Sequence, residues 1–454
     1  MPAPKPPQRV LVVGAGEFGS SAALALAEGP YSGRGDLITL LERGAEPPAI
    51  DAASSDINKL VLSADRAKRV LCVHLTRPFC SAADPLYAQL AKDAIKEWHT
   101  PRWKDHYHES GVVVVSRTDD PQANYVRGSY ANNAAGPAPA SGRLESGRDV
   151  EKLYPEGVPV GSFEGDFGCA RRSVRDRNAH GGWAASRDAV VSTIALCRTL
   201  GVRVVAGEAS NLLLTPSLKD VRGVRLTDGR TLEADFVIAA CGSWTPMLLP
   251  ELKENCLPTG QTIAMVQLSE EETRRYRDIP VSLCMDTGFY CFPPTSTGIV
   301  KMAIHDRGWL APSPALNLPS APRTSLTAGY EQQQIPASAL AAIRDGMRRI
   351  HPELAEKEII ETRLCWYSDR VSGDFLFDYH PRYPSLFVAA GGSGHAFKFM
   401  PLVPAWILSA LQGTLSPELK RLWSFEGDKT RLDTSRGEKM IVRKMLDGEK
   451  AAKL

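Results

Sequence analysis

The sequence predicts an α/β fold built on a doubly wound parallel sheet. Near the N-terminus, the apolar run RVLVV (9–13) is followed by a glycine turn, a helical stretch of small residues and a second apolar strand in DLITLLERG (36–44). Far along the chain, LFVAAGGSGHAF (386–397) again predicts a strand, a glycine turn and the start of a helix. Buried strands that lead through glycine turns into helices are typical of this fold class.

The elements between these two units are predicted from periodicity and turn residues. The segment RDAVVSTIALCRTLG (187–201) has helical periodicity, and small residues with Gly and Pro predict a loop at 131–142. The remaining segments predict strands: VRVVAGEASNLLLT (202–215), VRGVRLTDGRTLEADFVIAA (221–240) with a hairpin turn at Asp228-Gly229, GFYCFPP (288–294) and GIVKMAIH (298–305).

The composition is that of a globular protein with more than one domain. The chain has 454 residues, 43% hydrophobic and 23% charged, with a formal net charge of +2. This balance does not favour nucleic acid or an anionic membrane as a partner. The N-terminus lacks the apolar core of a signal peptide, and no apolar run is long enough for a transmembrane helix. The nine cysteines show no spacing suited to zinc, so we expect no metal site and a reducing compartment.

The first glycine turn, GAGEFG, has the pattern of a dinucleotide-binding site. Its glycines permit a tight turn, close approach of the backbone to a pyrophosphate and close packing of helix on strand. An acid at the end of the second strand can accept hydrogen bonds from ribose hydroxyls. The pattern does not separate FAD from NAD, although the acid disfavours NADP, and a glycine turn without a ligand is the alternative. The residues expected to bind here are Gly14, Gly16, Glu17, Phe18, Gly19, Glu42 and Arg43.

A second glycine turn follows the strand predicted in EADFVIAACGSWT (233–245). Glycine at the carboxyl end of a strand suits a turn that runs close to a bound nucleotide. A plain connection between strand and loop is the alternative for this segment.

One cysteine lies between an Arg-Leu pair and an aromatic pair in ETRLCWYSDR (361–370). Taken alone, Cys365 can be a buried core residue, a metal ligand, a nucleophile or an attachment point. The residues around it do not decide between these roles without a wider pattern.

Such a pattern comes from four stretches: GAGEFGSSAALAL (14–26), SSDINKLVLSADRA (54–67), KDHYHESGVVVV (104–115), and RLCWYSDRVSGDFLFDYHP (363–381) with LFVAAGGSGHAFKFMP (386–401). Through them the chain resembles the flavin amine oxidases of the D-amino-acid oxidase superfamily. The branch is that of monomeric sarcosine oxidase, the pipecolate and saccharopine oxidases, and the fungal amadoriases (fructosyl amino acid oxidases). The likeness covers nearly the whole chain and is weakest over residues 120–180.

The resemblance implies two domains made from alternating segments. An FAD-binding, Rossmann-like domain is expected from residues 1–90, 170–250 and 360–454. An α+β substrate domain with a large mixed or antiparallel sheet is expected from residues 91–169 and 251–359.

The resemblance also implies how the cofactor is held. Cys365 matches the family cysteine that carries FAD through a thioether at the flavin 8α position, whereas the other eight cysteines keep the interpretation of core residues. Further contacts with FAD are expected from Ser55, Asn58, Gly392, Gly394, His395, Phe397 and Lys398.

Four residues match catalytic positions of the family. Lys301 matches the lysine implicated in O2 activation, Lys398 the lysine that binds the substrate carboxylate, and Lys59 a basic residue near the flavin ring. Strand alternation around Lys301 does not favour its burial, so a solvated lysine is the alternative. His305 matches a histidine of sarcosine oxidase, where amadoriases have an acid, although it can also be a core histidine. Leu62 stands where sarcosine oxidase has a carboxylate-binding arginine, which weakens the case for sarcosine itself.

The function implied is oxidation of a secondary amine by covalently bound FAD, with O2 reduced to hydrogen peroxide. The amine is expected to be an N-methyl or N-alkyl amino acid or a cyclic imino acid. A tailoring oxidase of secondary metabolism and a fructosyl amino acid oxidase are alternatives within the same chemistry. An NAD-linked dehydrogenase and a non-catalytic flavoprotein are alternatives outside it. Trp366 and Tyr367 can wall an apolar pocket for the substrate or belong to the core.

The last three residues, Ala452-Lys453-Leu454, are a close variant of the Ser-Lys-Leu peroxisomal address. They predict recognition by the peroxisomal import receptor and a peroxisomal location, otherwise a cytoplasmic one. A lysine-rich tail that ends this way by chance is the alternative. The expected partners are a small amine and O2, without nucleic acid or membrane, and we expect a monomer.

Overall fold

The computed structural model describes eleven stretches of the chain. They are residues 4–6, 8–62, 85–120, 123, 126–127, 142–144, 146–163, 166–170, 181–331, 335–431 and 444–452. Most of the loop predicted at 131–142, two cysteines (Cys72 and Cys80) and the last two residues of the C-terminal tripeptide lie outside these stretches.

Strands and helices are interspersed along the described part of the chain. The strands are β1 (Val10–Val13), β2 (Ile38–Glu42), β3 (Lys59–Leu62), β4 (Tyr107–His108), β5 (Val112–Arg117), β6 (Gly142–Leu144), β7 (Asp166–Ala170), β8 (Gly181–Ala184), β9 (Arg203–Ala206), β10 (Ala209–Leu214), β11 (Val221–Leu226), β12 (Thr231–Glu233), β13 (Phe236–Ala239), β14 (Leu257–Gln267), β15 (Val281–Cys284), β16 (Phe289–Cys291), β17 (Ile299–Ile304), β18 (Trp309–Leu310), β19 (Ile359–Asp369), β20 (Leu376–Tyr379), β21 (Leu386–Ala390) and β22 (Lys444–Met445). The α-helices are Glu17–Glu28, Pro85–Trp98, Gly147–Glu151, Ser186–Thr199, Thr245–Leu248, Glu270–Tyr276, Ala337–Ile350, Pro352–Ala355, Val403–Gln412 and Pro417–Leu422.

A six-stranded sheet contains the N-terminal βαβ unit. Its order is β20-β21-β13-β1-β2-β9; the strands from β21 to β9 are parallel, and β20 is antiparallel at one edge. The central strands are apolar and buried on both faces, as parallel strands covered by helices are. The helix Glu17–Glu28 packs its small side chains in one core with this sheet and with helices Ser186–Thr199 and Val403–Gln412. The predicted α/β class is confirmed.

A ten-stranded mixed sheet forms the second layer. Its longest strands, β14 and β19, pair antiparallel, so that Gln261 lies opposite Cys365 and Ile263 opposite Arg363. On the other side of β14, β17 places Lys301 opposite Met265. Most pairs are antiparallel, whereas β5 and β15 run parallel. The helix Ala337–Ile350 packs its apolar face in a core with this sheet.

Two small sheets complete the fold. In the first, β8 lies between β3 and β4, and this pairing fixes Lys59 opposite Ala184. The second is β10-β11-β12, and its β11–β12 hairpin turns at Asp228-Gly229, as predicted.

The six-stranded sheet takes all its strands from the segments expected for the first domain. Residues 359–369, most of which were expected there too, instead form β19 of the large sheet. The domain bounds stay a prediction, but β19 brings Cys365 into the layer that holds Lys301. Among the described helices, none is long and apolar enough to cross a membrane.

Candidate active site

A cleft runs along the carboxyl ends of the parallel strands towards the large sheet. Ligands of open α/β sheets bind at this edge. Its charged lining residues include Arg43 and Glu208 as well as Lys59. It is lined by Val13, Gly14, Gly16, Glu17, Phe18, Leu41, Glu42, Arg43, Ala52, Ala53, Ser54, Lys59, Gly207, Glu208, Ala209, Ala240, Cys241, Gly242, Ser243, Trp244, Met247, Leu248, Trp366, Tyr367, Ser368, Ala390, Gly391, Gly392, Gly394, His395, Ala396 and Phe397.

The glycines of the first turn are required by close backbone contacts. Gly14 has φ +99°, and a Cβ there would lie 2.4 Å from the carbonyl oxygen of Ala240. A Cβ on Gly19 would lie 1.7 Å from the carbonyl oxygen of Gly14. A Cβ on Gly16 would meet only the Ser54 hydroxyl, at 3.1 Å, because this residue faces the cleft. The turn therefore offers backbone and a helix N-terminus to a phosphate group.

Glu42 closes the cleft beside this turn. Its carboxylate accepts hydrogen bonds from the backbone N–H groups of Ala15 (2.9 Å) and Arg43 (2.8 Å). A carboxylate has further lone pairs, which ribose hydroxyls can use. The Arg43 guanidinium lies 3.8 Å from the centre of the Trp244 ring and pairs with Asp51. The second glycine turn, which carries Trp244, therefore forms the wall of the cleft beside Arg43.

Glu17 is an unusual group at a phosphate-binding turn. One of its carboxyl oxygens, Oε1, is buried without a hydrogen-bond partner among the described residues. Burial raises the pKa of Glu17 to about 8, and the opposing effect of Lys59 does not cancel this shift. At neutral pH the side chain is therefore a neutral carboxylic acid, which can donate a hydrogen bond into the cleft.

Beside the cleft, three cations surround one carboxylate. Asp56, in the segment just before β3, is fully buried, and its Oδ2 accepts hydrogen bonds from Lys301 Nζ at 2.5 Å and Lys59 Nζ at 2.7 Å. Arg363 Nη2 lies 3.4 Å from Asp56 Oδ1. Lys301 also donates to the carbonyl oxygen of Asn58 at 2.7 Å. The prediction from strand alternation did not favour burial of Lys301, yet this lysine is fully buried, because Asp56 supplies the charge that compensates it.

Asp56 and Arg363 were missed by sequence reasoning, although both carried a signal. Asp56 lies three residues before Lys59, within a stretch already singled out for its resemblance. Arg363 lies two residues before Cys365 on one strand, and side chains two apart share a face of a sheet.

The charges in this cluster shift one another's pKa. Burial alone would raise the pKa of Asp56, but Lys301, Lys59 and Arg363 lower it well below its ordinary value. Burial alone would lower the pKa of Lys59, but Asp56 raises it above its ordinary value. Lys301 shows the opposite balance, since burial lowers its pKa to about 8 despite Asp56. Beside the same carboxylate, Lys59 thus stays charged at neutral pH, whereas Lys301 titrates near pH 8.

Cys365 lies beside this cluster. Its side chain is 2% exposed, and Lys59 Nζ approaches Sγ at 3.6 Å. The next two residues, Trp366 and Tyr367, line the cleft. Trp366 is also almost fully buried, and its indole N–H donates to the carbonyl oxygen of Arg323 at 2.8 Å. The aromatic pair therefore serves both as pocket wall and as core.

The C-terminal glycine turn supplies another wall. Gly392, Gly394, His395 and Phe397 line the cleft as expected, and the His395 Nε2–H group donates to the carbonyl oxygen of Gly373 at 2.6 Å. Lys398 follows in the same short helix and is 8% exposed, with its ammonium nitrogen 5.3 Å from the Phe399 ring centre.

Seven of the expected residues do not line the cleft: Gly19, Ser55, Asn58, Lys301, His305, Cys365 and Lys398. The Ser55 hydroxyl donates to the carbonyl oxygen of Ala49 at 2.5 Å, and the neighbouring Ser54 faces the cleft instead. The Asn58 side chain is buried, and neither its amide nitrogen nor its oxygen has a hydrogen-bond partner among the described residues. His305 is half-buried just after β17, and its backbone N–H donates to the carbonyl oxygen of Gly288 at 2.7 Å.

These features fit FAD. The glycine cradle and Glu42 suit the pyrophosphate and ribose, and among the described residues unused polar atoms remain on Glu17 and Asn58. Lys59 lines the cleft and lies 3.6 Å from Cys365 Sγ, so a flavin ring held beside Lys59 would be near the thiol.

Comparison with known proteins agrees with this fit. The chain is 27% identical over 441 residues to L-saccharopine oxidase of Schizosaccharomyces pombe, covering 92% of this chain and 93% of that protein. It is 28% identical over 498 residues to amino acid oxidase imqH of Aspergillus flavus, covering 94% and 98%. Among solved structures, Amadoriase I (fructosyl amine:oxygen oxidoreductase) of Aspergillus fumigatus matches with 28% identity and a TM-score of 0.76, covering 91% of this chain and 88% of that one.

The family model DAO, described as FAD dependent oxidoreductase, matches residues 9–409. This match confirms the predicted superfamily, the fold and the choice of FAD over NAD. The chain belongs to the DAO family of FAD-dependent oxidoreductases.

Proposed function

We propose that this protein is an oxidase of secondary amines that carry a carboxylate, with FAD attached covalently to Cys365. The observation that supports this most is the cluster of Lys59, Lys301 and Asp56 beside Cys365, in which Lys59 also lines the cleft. The relatives named above are oxidases of amino acids, saccharopine or fructosyl amines, which share the chemistry of a C–H bond next to nitrogen.

FAD, held by the glycine turn and Cys365, would supply the redox chemistry: acceptance of a hydride from the carbon next to nitrogen, and two electrons that with two protons convert O2 to hydrogen peroxide. The amine becomes an imine, which water hydrolyses to a carbonyl compound and an amine. The contribution of the protein is to bind, orient and supply charge.

Lys301 provides positive charge where an anion forms. The first electron transferred to O2 makes superoxide, and a buried ammonium stabilises this anion far more than a solvated one does. Lys301 is held in place by Asp56 and the Asn58 carbonyl, so little reorganisation is needed when the charge appears.

Lys398 is proposed to hold the substrate carboxylate. It follows Phe397, which lines the cleft, and it is almost fully buried. Leu62 stands where sarcosine oxidase has a carboxylate-binding arginine, so the predicted site has one cation fewer. This difference favours a substrate with an apolar or ring-shaped body over sarcosine. Tyr290 and Tyr367, beside Cys365, add aromatic surface for such a body.

A fructosyl amino acid oxidase is the second candidate, because Amadoriase I resembles this chain over most of its length. His305 speaks against it, since the family position for the sugar-bearing substrate is acidic. A tailoring oxidase that acts on an N-methylated intermediate is compatible with the same site.

The test is peroxide release from purified protein against a panel of sarcosine, L-pipecolate, an N-methyl aromatic amino acid, L-saccharopine and a fructosyl amino acid. We expect turnover of a cyclic or N-alkyl amino acid. Preferred turnover of the fructosyl compound would instead establish the second candidate. Peroxide from none of the five, with protein that stays yellow after acid precipitation, would support the tailoring role.

We further propose peroxisomal import through Ala452-Lys453-Leu454, which would place the peroxide beside catalase. Ala452 is buried, and its N–H donates to the carbonyl oxygen of Ile335 at 2.8 Å, so a receptor would have to release this residue from the fold. A fluorescent protein fused in front of residues 443–454 should enter peroxisomes, and the same fusion without the last three residues should remain in the cytoplasm. Equal distribution of the two fusions would overturn the import proposal.

A further inference from the structure

The carboxylate of Asp56 joins two groups with separate chemical tasks. Its Oδ2 accepts from Lys59 at 2.7 Å and from Lys301 at 2.5 Å. Lys59 lies 3.6 Å from Cys365 Sγ, where flavin attachment is proposed, and Lys301 is the proposed partner of O2. Asp56 itself does not line the cleft, so any effect it has on the chemistry passes through the two lysines.

The two ammonium groups need this carboxylate because of where they lie. Lys301 is fully buried, and an uncompensated buried ammonium loses its proton rather than remain charged. Lys59 carries the same sign and disfavours charge on Lys301, and Asp56 opposes this effect. Among the described residues, the other titratable groups around the cluster are Cys365, Tyr290 and Tyr367, together with Glu17 near Lys59 and with Glu361 and Asp51 near Arg363.

We propose that Asp56 is a positioning residue that holds Lys59 at Cys365 and Lys301 at the site of O2 reduction, so that flavin attachment and reoxidation depend on one shared carboxylate. Because it concerns Cys365 and O2, this role of Asp56 rests on the proposed function. Attachment would form a bond between Cys365 Sγ and the flavin 8α carbon with loss of the thiol proton and one 8α proton, and the electron pair would stay on the flavin until O2 removes it as hydrogen peroxide. A single neutral substitution should therefore impair two measurable steps, bond formation at Cys365 and reaction with O2.

The test compares Asp56→Asn with the wild-type holoenzyme. Asparagine keeps the shape and an acceptor oxygen but removes the charge. Asp286→Asn is the matched control, since Asp286 is another buried carboxylate, 4% exposed and paired with Arg349 at 2.6 Å in the large-sheet layer. Two quantities are measured without any amine: the fraction of flavin that stays with protein precipitated by acid, and the rate at which dithionite-reduced holoenzyme reoxidises in O2-saturated buffer.

In Asp56→Asn we expect less covalent flavin after a fixed incubation. For a fall of one pKa unit at Lys301 we also expect reoxidation at pH 8 about 5-fold slower than in wild type, because the protonated fraction of Lys301 then drops from about one half to about one tenth. Without the carboxylate, the pKa of Lys301 falls below its wild-type position, so the deficit should narrow as the pH is lowered to 6. A purely structural role would not produce this recovery. Asp286→Asn should match wild type in both quantities even if its melting temperature falls.

The outcomes distinguish a wrong role for Asp56 from a wrong proposed function. Reoxidation of Asp56→Asn at the wild-type rate across this pH range would overturn the role of Asp56. Wild-type protein that releases all its flavin into acid, or that reoxidises at a rate unaffected by Lys301→Met, would refute the proposed function itself. If Asp56→Asn does not fold, Lys59→Met and Lys301→Met test the division of tasks: the first should lower covalent flavin, and the second should slow reoxidation alone. If Lys59→Met and Lys301→Met changed covalent flavin and the reoxidation rate equally, the division of tasks would be contradicted.

Discussion

At Lys301, one buried ammonium experiences two opposing effects, of which burial is the larger. Burial disfavours its charge, Asp56 favours it, and the result is a pKa of about 8. A group that titrates so close to physiological pH changes its charge with small changes in its surroundings. The same lysine on the protein surface would stay charged and give a rate that does not depend on pH in this range.

This balance predicts the pH dependence of O2 reduction. The folded protein keeps Lys301 protonated below pH 8 and loses that proton above it, so the rate of reoxidation should fall as the pH rises through about 8. Lys301→Met should lower the rate at pH 7 about 100-fold, comparable to the loss of one preorganised charge, and should abolish this dependence. Lys253→Met, which removes a surface lysine, is the control. Rapid-mixing absorbance measurements provide the test, and a Lys301→Met profile that still falls through pH 8 would assign the titration to another group.

Glu17 predicts a pH dependence of stability in the cofactor-free protein. Its pKa is about 8 in the folded chain and near 4.5 in the unfolded one, so folding takes up a proton between these values. The free energy of unfolding should therefore fall as the pH rises from about 4.5 to 8. Glu17→Gln should remove this part of the fall, so that its stability relative to wild type is greater at pH 8 than at pH 5.

Urea unfolding of the cofactor-free protein at these two pH values measures the effect. Glu97→Gln, at an exposed position, should change stability equally at both. An identical response of Glu17→Gln and Glu97→Gln would show that the Glu17 carboxyl is solvated in solution.

At the scale of single elements, the turn after β1 depends on contacts that only glycine permits. Gly14→Ala would place a Cβ 2.4 Å from the Ala240 carbonyl oxygen, in addition to the strain of φ +99°. Gly229→Ala provides the matched control, because φ there is +88° and no atom lies within 4 Å of the added Cβ. The control should lose about 1 kcal/mol of stability from backbone strain alone. Gly14→Ala should lose clearly more and should bind less flavin. Urea midpoints and flavin content per chain measure both, and equal losses in the two variants would show that the turn relaxes.

The elements themselves could be predicted because periodicity and turn residues determine them locally. The buried strands β1 and β21, the Asp228-Gly229 hairpin and the helix Ser186–Thr199 all follow from such patterns. The pairing of β19 with β14 could not be predicted, because pairing between residues about a hundred positions apart depends on tertiary packing. The cluster around Asp56 is missed for the same reason: its members lie on β3, β17, β19 and the segment before β3. The turn glycines and Glu42, in contrast, lie close together in the sequence and were identified directly.

At the scale of the whole molecule, an attached cofactor changes how stability depends on concentration. A ligand that dissociates stabilises a protein by an amount that grows with its free concentration, whereas an attached one does not. Cys365→Ala should therefore have a melting temperature that rises with added FAD, by about 1.4 kcal/mol of stability for each tenfold increase above Kd.

Cys241→Ser is the control, because Cys241 lines the cleft too, and burial raises the pKa of its thiol to about 12. Its melting temperature, like that of wild type, should not change with added FAD. A wild-type melting temperature that rises with FAD as steeply as that of Cys365→Ala would rule out attachment at Cys365.

The glycine turn follows β1 of one sheet, and Cys365 lies on β19 of the other. A cofactor bonded at Cys365 and held at the glycine turn would therefore contact both sheets. The bond to Cys365 makes binding at the glycine turn an intramolecular event, so its occupancy depends on an effective concentration set by the folded chain and not on FAD in solution. If the two sheets separated locally, the cofactor would stay with β19 and could return to the glycine turn without diffusing through solvent.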